Sequence, residues 1–197
     1  MNLIVESLAG KEIRPCIAEL ARLRMEIFRD FPYLYDGDMA YEEQYLASYL
    51  RSEDTVIVLA KDGDDIVGVS SAMPLEHETA EVTQAFLEAG IPLSEVFYLG
   101  ESLLMPAYRG RGLGHVFFEM REAYARKLER FRYCTFFAVQ RPDDHPMRPA
   151  GYKPLDGFWR KRGYVPRPDL RTFYSWKDVG EAAETKKPMM FWLKELK

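Results

Sequence analysis

Between a β-rich stretch and an amphipathic one, the sequence reads Leu103-Leu104-Met105-Pro106-Ala107-Tyr108-Arg109-Gly110-Arg111-Gly112-Leu113-Gly114, with glycines at three alternate positions. The chemistry this spacing suits is anion binding. The first turn of a helix leaves backbone N–H groups without intrahelical acceptors, and the macrodipole places about half a positive charge there. Glycine removes the side chains that would keep a phosphate away from those donors. Arg109 and Arg111 add fixed positive charge. A plain strand-to-helix turn asks for one glycine; three beside two arginines favour a phosphate ligand. Two familiar phosphate loops do not fit. No Lys-Ser or Lys-Thr follows the glycines, as a P-loop requires. His115 stands where a dinucleotide-binding G-x-G-x-x-G would place its last glycine.

The elements that must position this turn follow from hydrophobic periodicity. Strands are predicted over 2–7, 55–61, 65–73, 96–105, 132–140, 170–177 and 188–194. Helices are predicted over 13–29, 40–51, 80–89, 112–130 and 154–162. Lys61-Asp62-Gly63-Asp64 is a hairpin signal between two of the strands. The helix after the glycines carries an apolar stripe of Leu113, Val116, Phe117, Met120, Tyr124, Leu128 and Phe131. Prolines cluster between Pro142 and Pro168, which predicts an irregular loop and a short helix before strands resume. With no repeat or low-complexity tract, residues 1–197 read as one α/β domain with a mixed sheet.

Composition bounds the function. The 197 residues are 47% hydrophobic and 29% charged, which excludes disorder. The net charge of −4 argues against general nucleic-acid binding, which draws on many phosphate contacts. Acids dominate residues 1–50 and bases dominate 109–132, which predicts either two solvated faces or a cationic ligand near the front and an anionic one near the middle. No apolar run approaches the roughly 20 residues of a membrane span, and the first residues do not resemble a secretory signal. Cys16 and Cys134 cannot build a disulfide framework, so a cytoplasmic location is expected. Three separated histidines predict no metal site. Cys134, inside a β-run, is expected to be a buried inert thiol, and His115 a solvent-facing helix residue. The run Met189-Met190-Phe191-Trp192-Leu193 could pack a homodimer as readily as a core.

The arrangement R-x-x-G-x-G formed by Arg109, Gly112 and Gly114 resembles the acyl-CoA-binding turn of the GNAT N-acyltransferase superfamily. Leu104-Met105-Pro106-Ala107-Tyr108 is similar to that family's lead-in, and Phe158-Trp159-Arg160-Lys161-Arg162-Gly163-Tyr164 to its late signature. The order of elements agrees over nearly the whole chain. The resemblance implies a mixed central sheet with helices on both faces and strands splayed at a cofactor slot. It implies acetyl-CoA as acyl donor, with the diphosphate on the backbone of Gly110, Arg111, Gly112, Leu113 and Gly114. Leu103, Leu104 and Met105 would offer main-chain contacts to the pantetheine arm, as an added strand would make. A strand-edge N–H would stabilise the oxyanion.

The family's acceptor is usually a primary amine, here a small molecule or a peptide. An alkylammonium with a pKa near 10.4 is neutral in about one molecule in 10³ at pH 7, a deficit of roughly 4–5 kcal/mol, so a proton acceptor is expected. Glu101 is the candidate: a carboxylate in a strand flanked by Leu99, Leu103 and Leu104 is unusual. Many relatives use a tyrosine as general acid at the second position of the late signature, where this chain has Trp159. Indole cannot serve as that acid. Tyr152, in the preceding loop, is the alternative donor, with solvent as another source of the proton. Tyr164 is expected in the core. The segment Phe31-Pro32-Tyr33-Leu34-Tyr35-Asp36-Gly37-Asp38 joins the first two helices, a connection that lines the acceptor side in the family. Tyr33, Tyr35 and Asp36 would receive the ammonium there by charge and cation–π attraction, or the acids simply cap a helix. Two rival readings stay open: a non-catalytic acyl-CoA sensor or scaffold, and an enzyme of another phosphate ligand.

Overall fold

The computed structural model describes residues 2–197. Its seven strands form one sheet: β1 (Leu3–Ala9), β2 (Val56–Asp62), β3 (Asp65–Pro74), β4 (Val96–Leu104), β5 (Tyr133–Val139), β6 (Val165–Trp176) and β7 (Thr185–Glu195). The order across the sheet is β1-β2-β3-β4-β5-β7-β6. Every neighbouring pair is antiparallel except β4 and β5, which run parallel. That pair stays together only from Val96–Tyr98 against Tyr133–Thr135. Both strands continue beyond it, so their paired ends diverge into a slot in mid-sheet.

Both faces of the sheet are covered, and strand alternation assigns the side chains. On β2, Ile57 and Leu59 pack under α1 (Ile17–Ile27) with Leu20 and Leu23. Val58 and Ala60 point the other way, to Leu113 and Phe117 of α4 (Leu113–Lys127). The helix α2 (Met39–Leu46) lies beside α1, with Leu46 in the same cluster. Phe86 of α3 (Ala80–Glu88) packs edge-on against Phe191 of β7, 5.0 Å between ring centres. Phe158 and Trp159 of α5 (Asp156–Lys161) join Phe136 and Trp192 on the α4 side. Among the described residues no helix is long and apolar enough to cross a membrane.

Several expectations need correction. The predicted first helix opens as a 3-10 turn over Gly10–Cys16, which contains Pro15, before α1 begins. The last turn of the predicted second helix, Ala47–Arg51, is likewise 3-10. The strand expected over 170–177 starts at Val165 and holds Pro166 and Pro168. Proline lacks the ladder donor and is tolerated on an edge strand or at an irregularity. β6 is the sheet's last strand, and its register shifts between Arg167 and Arg171. The run 189–193 is interior: Met189, Phe191, Trp192 and Leu193 are all buried within the chain.

The buried face of α4 also differs from the expected stripe, because it includes Arg121 and Glu122. Arg121 follows Phe117 by one helical turn, so it shares the core-facing phase. Its donors are spent on main-chain carbonyls of Phe117 (3.1 Å), Ser71 (3.0 Å) and Glu101 (3.0 Å) and on the Ser102 hydroxyl (2.7 Å). It is therefore not part of a surface for an anion.

Candidate functional site

The irregularity that Arg121 holds creates the site. Ser70 pairs with Ser102 and Ala72 with Leu99, so Ser71 alone opposes Gly100 and Glu101. This is a β-bulge, which bends a strand and re-aims its side chains. It turns Glu101 toward α1 and α2, away from Arg121. Gly100 is required by close approach: a Cβ there would meet the Tyr49 hydroxyl at 2.4 Å and Ser71 Oγ at 2.6 Å.

Glu101 is buried, and both of its oxygens have partners. Arg24 donates to Oε1. Ser71 donates to Oε2, which also receives the Tyr49 hydroxyl at 2.7 Å. Arg24 is shared with Glu42, fully buried on α2, which accepts in addition from the Tyr35 hydroxyl at 2.7 Å. These two carboxylates hold the guanidinium charged, its pKa raised well above the usual value against the opposing effect of burial. Neither Arg24 nor Glu42 was singled out by sequence reading. Their phase carried the signal: Arg24 lies four residues after Leu20, and Glu42 four before Leu46, both core positions.

Arg24 and Glu101 open on a cavity with an empty volume of about 640 Å³, mouth included. Its walls are aromatic, with Tyr33 and Tyr35 from the loop after α1, Tyr45 from α2, Tyr98 from β4, and Tyr174 and Trp176 from β6. Burial raises the phenols: Tyr33 is pushed up to about 12, and Tyr45 and Tyr98 stand well above their usual value. The walls are therefore neutral. Asp36, expected beside Tyr33 and Tyr35, does not line the cavity. It pairs instead with Lys177 at 2.7 Å and Arg29 at 3.0 Å, which hold its carboxyl below the ordinary range. Asp38 caps α2 by accepting the Tyr41 N–H at 3.0 Å.

The loop carrying Tyr33 is clamped from the end of β5. Arg141 donates to the Pro32 and Tyr33 carbonyls, both at 2.8 Å, and makes a two-pronged pair with Asp178 at 2.8 and 2.9 Å. Both side chains are buried. Without Arg141 the Asp178 carboxylate keeps only Lys187, at 3.3 Å, and the Pro32 and Tyr33 carbonyls lose their donor. Arg141→Ala is expected to lower unfolding free energy by roughly 1.5–3 kcal/mol, read as a drop in the urea midpoint.

Glu78, just before α3, is 8% exposed, and its Oε1 has no hydrogen-bond partner among the described residues. Its Oε2 accepts only the Thr79 N–H, at 3.1 Å. Burial pushes its pKa up to about 7 from 4.5, with the Glu101 charge adding to the rise and Arg24 and Arg51 opposing it. A raised carboxyl stabilises the fold most below its unfolded pKa, and that contribution is lost as pH climbs from about 4.5 to 7. Glu78→Gln is expected to flatten the stability–pH curve in that window and to gain roughly 2–4 kcal/mol relative to wild type at pH 8. Thermal melts at pH 5 and pH 8 check it.

On the far side of the slot stands the glycine turn. Gly110 and Gly112 sit at φ +75° and +82°, and a Cβ on either would meet nothing within 4 Å. Gly112 caps α4 in the left-handed conformation. Main-chain acceptors take the N–H groups of Arg109 and His115, whereas those of Gly110, Gly112, Leu113 and Gly114 donate to none among the described residues. Arg109 and Arg111 fold back onto the carbonyls of Leu104 (3.0 Å) and Ala107 (3.2 Å). The turn is thus open, and its amides face outward.

The strand edge leading to the turn is more selective than expected. Met105 N–H bonds the Val67 carbonyl at 2.9 Å. Antiparallel partners exchange bonds at every second residue, so Leu103, opposite Val69, also directs its polar groups to β3. Ser102 and Leu104 face the slot. Of the three residues expected to offer main-chain contacts, only Leu104 faces the slot, and its carbonyl already accepts from Arg109 at 3.0 Å.

Tyr152 lies in the loop between β5 and α5 and outside the cavity lining. Its ring packs edge-on against Phe31 at 4.7 Å, under the Arg148 guanidinium at 5.2 Å, and burial raises its phenol. Trp159 packs on Phe136 and Trp192, both at 5.0 Å. Tyr164 is buried and donates to Glu122 at 3.0 Å. Cys134 is buried and its thiol is pushed up to about 12, consistent with an inert role. His115 is exposed.

Comparison with known proteins places this geometry. A family model described as Acetyltransferase (GNAT) family matches residues 18–150. No curated protein matches the chain at a significant level. Among solved structures, the chain is similar to a ribosomal-protein-alanine N-acetyltransferase from Brucella melitensis, with 13% identity, 97% of this chain and 99% of that one covered, and a TM-score of 0.61. It is also similar to NAA60 of Arabidopsis thaliana in complex with a bisubstrate analogue (12% identity, 98% and 100% covered, TM-score 0.60). A GNAT family acetyltransferase from Elizabethkingia anophelis with acetyl-CoA bound matches at 14% identity, 99% of each chain and a TM-score of 0.53. At these identities the likeness is one of fold.

Proposed function

The chain belongs to the acetyltransferase (GNAT) family, and from that premise we propose that it moves an acetyl group from acetyl-CoA to a primary amine by direct transfer. The observation that carries this reading is the alignment of three features along one slot. The outward amides of Gly110, Gly112, Leu113 and Gly114 suit a diphosphate. The slot-facing edge at Ser102 and Leu104 suits an extended amide-bearing arm. The Glu101 carboxylate stands at the head of an apolar cavity. Related structures solved with acetyl-CoA or a bisubstrate analogue support the same donor.

In this reading the thioester supplies the acyl carbon, and the chain's residues prepare the amine. Glu101 takes a proton from the incoming ammonium. The Ser71 and Tyr49 hydroxyls, which now donate to its Oε2, are rotors able to turn aside. The amine lone pair then forms the C–N bond while an edge N–H holds the charge developing on oxygen. Collapse breaks the C–S bond. The second proton on the attacking nitrogen passes through solvent to the departing thiolate, whose pKa near 8.5 suits that transfer, while Glu101 returns the first proton to solvent. Tyr152 is therefore assigned to packing beneath the acceptor loop, and Tyr152→Phe is expected to keep kcat within about twofold. A loss of about 100-fold would give the phenol the acid role.

Calorimetric titration with acetyl-CoA, followed by free-thiol release with an amine panel, tests the whole reading. Saturable binding with amine-dependent thiol release is expected. Binding without release to any amine would favour a non-catalytic acyl-CoA sensor.

A further inference from the structure

Resting on that reading, we propose that the acceptor is a primary amine with an aromatic or bulky apolar tail and no carboxylate. The argument is one of charge and surface. Rings make most of the cavity wall, and the Arg24–Glu101 pair stands at its head. Aromatic faces attract an ammonium and bury an apolar tail. They offer nothing to a carboxylate.

The decisive point is the state of Arg24, the one cation that lines the cavity among the described residues. Arg24 is bonded to Glu42 and Glu101 at once, and its guanidinium also lies over the Tyr45 ring at 4.5 Å. Arg24, Glu42 and Glu101 together carry one net negative charge. Other buried cations near the walls are committed as well: Arg141 to Asp178, and Lys187 to Asp178 and Glu181, each at 3.3 Å. An amino acid or other α-carboxylate entering here would bury its anion beside Glu101 with no uncommitted cation among the described lining residues to pair with it, at a large desolvation cost. A monocationic amine would meet complementary charge at the head and apolar rings along its length. The phenols of Tyr33, Tyr45 and Tyr98, kept neutral by burial, can still accept or donate a hydrogen bond to a hydroxyl on the tail.

A matched pair isolates the carboxylate. 2-Phenylethylamine and phenylalanine share a skeleton and differ by that group. With saturating acetyl-CoA, kcat/KM for 2-phenylethylamine is expected to exceed that for phenylalanine at least about 100-fold. A polyamine without a ring is expected to be poor. Quenching of intrinsic tryptophan fluorescence in the presence of CoA, with Trp176 in the cavity wall, reads binding independently of turnover. Tyr41 lies at the mouth and is 44% exposed, so replacing it spares the core. Tyr41→Arg is expected to narrow the preference at least about tenfold by offering the carboxylate a partner. Equal or better turnover of phenylalanine or the polyamine would overturn the proposal, as would the absence of saturable 2-phenylethylamine binding. Either result leaves the acetyltransferase reading standing so long as acetyl-CoA titrates the protein; failure of that titration removes the reading itself.

Discussion

Gly112→Asp is expected to weaken acetyl-CoA binding at least about 100-fold, a loss of roughly 2.7 kcal/mol, while the protein still folds. Gly112 opens α4 at φ +82° with empty space where a side chain would go. Aspartate tolerates the left-handed region better than most residues, so the backbone cost is small. Its carboxylate, however, would stand in front of the amides of Leu113 and Gly114, where a diphosphate must sit. Gly112→Asn separates charge from backbone, because it imposes the same conformation without the anion. Its affinity is expected to fall less than about tenfold. Calorimetry on the three proteins gives the comparison. Equal affinity in wild type and Gly112→Asp would remove the phosphate assignment of the turn.

The second large effect falls on turnover. Glu101→Gln is expected to lower kcat by about 10²–10⁴, the range typical of a lost acid–base group, with acetyl-CoA affinity within about twofold of wild type. Glutamine keeps an oxygen for the Tyr49 and Ser71 hydroxyls but cannot take a proton from the amine. Arg24 keeps its bond to Glu42, so its charge is not stranded. The split between kcat and donor affinity separates proton transfer from general damage to the slot. A normal rate from pH 6 to pH 9 would refute the base role.

Much of this architecture is legible in the amino-acid sequence. The open turn at 110–114 is legible because glycine spacing is a backbone statement, and backbone requirements are written directly in residue type. Glu101 was legible because a carboxylate among leucines breaks a rule. The acceptor side was only half legible. Tyr33 and Tyr35 line the cavity, but Asp36 is neutralised by Lys177 and Arg29, and Lys177 is remote in sequence. Pairings across such separations are set by tertiary packing, not by local pattern. The same limit hid the joining of Arg24 on α1, Glu42 on α2 and Glu101 on β4 into one buried cluster. The start of β6 was missed for a different reason: its prolines argue against a central strand, and only the sheet order reveals an edge.

The grip of Arg121 on the bulge has a practical consequence for anyone trying to reshape the cavity. Its guanidinium holds the Ser71 and Glu101 carbonyls from the α4 side, while the Glu101 carboxylate points into the cavity from the other. The pitch of the proposed proton acceptor is therefore set by a residue that no bound amine could ever touch. A mutagenesis library confined to the walls of the cavity would leave that adjustment screw untouched; one that also varies the helix behind the sheet would reach it.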